Sequence, residues 1–169
     1  MAFIKSGTTV TSFAEYQDVL DADQRLFDAN EGLTDDIVEA HLTRATERIL
    51  TRLRSTAWWQ SYYLKMTNGS TISTVADIPA LNASKIKDRL NDFTELCVSM
   101  ALADYILPNV ADFSNEDSAE RKKMGYYKQR AELLFEELVS AGDWYDFDGS
   151  GVIASSEKQP GVYNLKRVR

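Results

Sequence analysis

Near the end of the chain, Asp146 to Glu157 (DFDGSGVIASSE) set oxygen donors at the spacing of an EF-hand calcium loop. Asp146 stands at loop position one, Asp148 at three, Ser150 at five, Gly151 at the turn position six, Val152 at seven and Glu157 at twelve. Calcium is a hard cation that wants several oxygens: alternating carboxylates supply charge, glycine permits the sharp turn, and the final glutamate closes the shell. Asp146, Asp148, Ser150, Val152 (through its carbonyl) and Glu157 are therefore the candidate metal ligands. The flanks differ from a paired EF-hand. Gly142 stops the incoming helix early, Pro160 and Gly161 oppose an exiting one, and no second loop is present to pair with. Two readings stay open: a lone calcium loop, or an Asp/Gly-rich surface turn of the kind these residues favour anyway.

Other reactive residue types are sparse. His41 is the only histidine and Cys97 the only cysteine, so neither a zinc quartet nor an internal disulfide can be assembled. His41 is expected as a solvated helix residue and Cys97 as a buried, inert thiol in the apolar run LCVSMALA. No G-x-S-x-G elbow, P-loop or G-x-G-x-x-G accompanies them, and the chain is not expected to be an enzyme or to need a cofactor, calcium apart. Trp58, Trp59, Tyr62 and Tyr63 concentrate more aromatic area than one face of one element hides. They read as a core corner or, for Trp58 and Trp59, as anchors at a protein interface. The final residues GVYNLKRVR alternate apolar and basic types, so Tyr163, Leu165, Lys166, Arg167 and Arg169 are candidate partner-binding residues of an extended arm.

These groups need a frame. After Thr34, an N-cap residue, Val38, Leu42, Ala45, Ile49 and Leu53 recur at helical spacing and predict a long amphipathic helix to Arg54. A second is expected from about Ala83 to Leu107, apolar over so wide an arc that it must be buried on more than one side, and stopped by Pro108. A third runs from about Glu116 to Ala141, striped by Met124, Tyr127, Ala131, Leu134 and Leu138 and capped by Gly142. A short helix opens near FAEYQDVL, with Ser12 and Glu15 as a capping box, and DADQRLFDANEGLTDD reads as a loop that packs only Leu26 and Phe27. Between Thr56 and Ile78 the sequence allows either a helix to Tyr63 or a small β-hairpin turning at Asn68-Gly69. The fold class is mainly α: a bundle of three long helices, a short N-terminal helix, a candidate hairpin and an extended C-terminal arm. Residues 1–142 form the helical domain and 143–169 the Asp/Gly-rich turn and arm.

A chain of 169 residues, 44% hydrophobic and 27% charged, is ordinary for a globular domain. Its charge is uneven. Removing the +3 of residues 161–169 from the total of −7 leaves −10 on the rest, a body that repels nucleic acid and anionic membranes. No run of 18 apolar residues and no signal-peptide pattern at MAFIKSGTTV is found, and synthesis in a cytoplasm is expected.

In layout the whole chain resembles the small helical adaptor proteins of the head-to-tail connector in tailed bacteriophages. The stretches that carry the likeness are FAEYQDVL, LTDDIVEAHLTRATERILTRLR, IPALNASKIKDRLNDFTELCVSMALADYIL and RKKMGYYKQRAELLFEELVSAGDW, followed by the Asp/Gly turn and basic end. The resemblance implies a non-enzymatic structural protein of the virion neck, made in the host cytoplasm and assembling as a homo-oligomeric ring, a dodecamer, between portal and tail. Its implied partners are the portal protein and the next neck or tail protein. DNA would pass the channel without specific binding, which suits an acidic body, because a basic lining would hold phosphate.

Overall fold

A computed structural model describes residues 3–6, 8–30, 32–67, 72–114 and 118–158. The chain opens on a two-stranded antiparallel hairpin, β1 (Ile4–Ser6) and β2 (Thr9–Ser12), and continues through α1 (Tyr16–Ala22) and α2 (Gln24–Ala29). The long helix α3 (Asp35–Ser55) leads into α4 (Ala57–Met66), α5 (Leu90–Ala101), a π-helical stretch over Leu102–Ile106, the single turn α6 (Leu107–Val110) and the long α7 (Ala119–Ala141). The architecture is mainly helical, as expected, but the hairpin lies at the N-terminus. At the other candidate, the described part of the return segment is not a strand: Ser73 and Thr74 bend into a 3-10 turn over Val75–Asp77, while residues 68–71 lie outside the described residues.

α3 forms where its stripe predicts. Val38, Leu42, Ala45, Ile49 and Leu53 are all fully buried, and each large aliphatic side chain so placed stabilises the fold by about 1.5–3 kcal/mol. Asp35 and Asp36 occupy the first turn and Arg52 and Arg54 the last, matching the helix dipole at both ends. Its basic outer face is used internally: Arg48 pairs with Asp104 at 3.6 Å, Arg52 grips Glu132 with two bonds, and Arg54 donates to the carbonyl of Ile78. α5 lies between α3 and α7, which is why Phe93, Leu96, Cys97, Val98, Met100 and Ala101 are buried around most of its circumference. The hairpin is tied into this core through Phe13, whose N–H donates to Thr46 and whose carbonyl accepts from Thr94.

Several boundaries differ from expectation for local reasons. α1 is capped by Glu15 and Asp18 in a reciprocal box, whereas the Ser12 hydroxyl turns to the carbonyl of Ala14. The acidic segment expected as a loop contains α2, which buries Leu26. The second long helix starts at Leu90, not Ala83, because Asn82 caps one 3-10 turn (Ala83–Lys85) and Ile86 then pairs in extended form with Tyr145. Arg89, at the entrance to α5, takes a left-handed backbone (φ 54°), a strained conformation for a side chain of this kind. Its guanidinium holds Asp143 through two bonds, at 2.6 and 3.1 Å. Among the described residues no helix is long and apolar enough to cross a membrane.

Candidate metal centre

The site begins where α7 ends. Gly142 adopts the left-handed conformation expected of a C-cap, and its N–H returns to Leu138. Trp144, completely buried, donates its indole N–H to the same carbonyl at 2.7 Å. The chain then runs antiparallel to residues 85–87: Lys87 N–H donates to Trp144 O at 3.0 Å and Asp146 N–H to Lys85 O at 2.9 Å. The expected division after Gly142 is therefore not a break in packing. Residues 143–147 are part of the body, and the loop that follows starts from a fixed base.

Aromatic packing holds the other side. Trp58 and Trp59 are core residues, not surface anchors: Trp58 lies 4.8 Å from Trp144 and Trp59 5.0 Å from Tyr145, ring centre to ring centre. One turn on, Tyr62 and Tyr63 meet Phe147 at 5.8 and 5.6 Å. This explains why α4 is helical despite its β-favouring composition. Thr56 caps it by accepting from Trp59 N–H, and tertiary packing of the rings outweighs local propensity.

Within the loop, Asp146 is fully buried and Glu157 2% exposed, while Asp148 faces solvent. One oxygen from each of the three carboxylates lies within 4.8 Å of the others. Asp146 accepts from the amides of Gly149 and Gly151, each at 2.8 Å, one on each oxygen. Glu157 Oε1 accepts from Phe147 and Asp148 at 2.8 and 3.0 Å, and Oε2 from Ala154 at 2.7 Å. Gly149 and Gly151 have φ of 80° and 88°, so a side chain at either would strain the turn. The Asp148 carboxyl is held below its ordinary pKa range, chiefly by the Ser150 backbone N–H it accepts. The Ser150 hydroxyl donates to the carbonyl of Val152 at 3.0 Å, bringing the position-five and position-seven oxygens side by side. The five sequence-proposed ligands thus share one loop, and its three acids converge.

Two cations border the loop. Lys85 donates a short bond to the carbonyl of Phe147, and Lys65 donates to that of Ser156 at 3.1 Å. The sequence reading missed Lys85, and it missed the aromatic seat, although two aromatic-dense segments (AWWQSYY and DWYDF) each without another partner were the signal for the latter.

The remaining candidates fall elsewhere. His41 is half-buried rather than solvated: its ring stacks on Tyr105 at 5.9 Å with the planes 5° apart, and burial, then the charge of Arg44, lowers its pKa. Cys97 is sealed in the core between Thr46 and the Leu42 carbonyl, and burial pushes its thiol up to about 11. Tyr163, Leu165, Lys166, Arg167 and Arg169 lie outside the described residues. No family model, no curated protein and no solved structure matches the chain.

Proposed function

We propose that the chain is a structural adaptor of the head-to-tail connector type, assembling as a ring on a portal and presenting a docking surface to the next neck or tail component. The observation that carries this reading is the anchoring of residues 143–158. A bidentate Arg89–Asp143 pair, the buried Trp144 and the buried Asp146 and Glu157 fix the point from which the basic terminal sequence departs. An arm that must find a neighbour gains when its root is immobile, because less orientational freedom is lost on binding. The helical body supports the same reading. Its basic α3 face is engaged in internal ion pairs, so the acidic excess dominates the surface, and Tyr126 and Leu133 stand exposed two turns apart on α7 as an apolar stripe for a neighbouring copy.

The arm is tested by deleting residues 159–169 and adding full-length and truncated chains to portal rings of the cognate particle. Truncation is expected to abolish docking in co-sedimentation while far-UV circular dichroism stays unchanged. Equal docking by both chains would remove the arm from the proposal.

A further inference from the structure

The acid cluster alone would be an ordinary surface turn, but a second, buried polar group packs against its base. Tyr62 is 5% exposed, and its hydroxyl is buried with no hydrogen-bond partner. Its ring packs against Tyr145 and Phe147, the two neighbours of Asp146. After burial itself, the largest influence raising its pKa is the charge of Glu157, with Tyr145, Asp146 and Asp148 following. A buried phenol left without a partner beside three carboxylates is costly unless a bound species completes its hydrogen bonding.

The charge and the open valences say what that species is. The three carboxylates carry −3 against the +2 of Lys85 and Lys65 at the loop edge, an excess of negative charge that calls for a cation. The amide bonds occupy one lone pair on each Asp146 oxygen and on Glu157 Oε2, and both on Glu157 Oε1. Asp146, Asp148 and a single oxygen of Glu157 therefore remain able to ligate, together with the Ser150 hydroxyl and the Val152 carbonyl. We propose that residues 146–157 bind one calcium ion through these five groups, with a metal-bound water that hydrogen-bonds the Tyr62 hydroxyl. An irregular, all-oxygen set that draws carbonyl, hydroxyl and carboxylate from one loop suits calcium, whereas magnesium demands near-ideal octahedral geometry and keeps most of its water. Because Glu157 contributes one oxygen and not two, the site is weak, with Kd on the order of 10⁻⁴ M.

The test uses the full chain and the metals alone. Terbium, which takes calcium sites and luminesces beside an excited aromatic ring, is expected to light up and to be displaced by calcium, with magnesium at least about tenfold less effective. Calcium at about 10 mM, roughly a hundredfold above Kd, is expected to raise Tm by about 5–10 °C. Asp148→Asn alters an exposed carboxylate that the loop's fold uses chiefly through the Ser150 amide, and it should weaken binding about tenfold with an unchanged circular dichroism spectrum. Tyr62→Phe keeps the ring packing and should weaken it about threefold to tenfold. A folded wild-type chain with neither terbium luminescence nor a calcium-dependent Tm overturns the site. Undiminished binding in Asp148→Asn overturns the ligand assignment, and undiminished binding in Tyr62→Phe overturns the water bridge.

Discussion

The α3–α5–α7 bundle and the 143–158 segment both bury side chains, but different kinds, and they are held by different forces. In the bundle, Leu42, Ile49, Phe93 and Leu138 exclude water and ask only for apolar neighbours of the right volume. In the C-terminal segment the buried groups include two carboxylates, and the loop closes because backbone amides turn inward to satisfy them. Apolar burial is indifferent to ions and mild acid, whereas a carboxylate-centred loop responds to both. The molecule thus couples an inert frame to a small segment whose order depends on charge.

Trp144 belongs to both regions, so its loss should blur the distinction most. Trp144→Ala removes a fully buried ring and its bond to Leu138 O, and is expected to cost about 3–5 kcal/mol, a fall in Tm of roughly 10 °C in thermal denaturation. The difference sharpens with Asp146→Asn. The amide nitrogen cannot accept from Gly151, which costs about 1–3 kcal/mol locally. Hydrogen exchange should accelerate at Gly149 and Gly151 and stay unchanged in α3 and α5. Uniform acceleration across the bundle would mean that the two regions unfold as one.

The smallest effect concerns pH and lies in the bundle. His41 has a folded pKa depressed below its unfolded value by burial and by Arg44. Between those two values the unfolded chain binds the extra proton, so this contribution to stability is present above about pH 6.5 and is lost as pH falls through the folded pKa. Replacing His41 by Gln should flatten the slope of Tm against pH in that window. An unaltered slope would assign it to other groups.

How much of this was legible in sequence follows from which contacts are local. The stripes of α3 and α7 and the Gly142 cap are set within one or two turns of chain and read correctly, and the spacing of the acids in DFDGSGVIASSE was enough to anticipate that they share one turn. The start of α5 did not, because Ile86 is drawn from the helix by Tyr145, far along the chain. α4 was ambiguous because the fate of its aromatic side chains rests on Trp144, Tyr145 and Phe147. Trp58 and Trp59 as interface anchors failed for the same reason: their partner is the chain's own C-terminal segment. The open phenol of Tyr62 left no mark in the sequence, since it exists only once α4 lies against the loop.

The adaptor proposal meets its most direct test in electron microscopy of cognate portal rings incubated with the full-length chain. The expected result is a closed ring of added density on one face of the portal, twelve copies if it matches a dodecameric portal. Bare portals at saturating chain concentration would contradict the proposal.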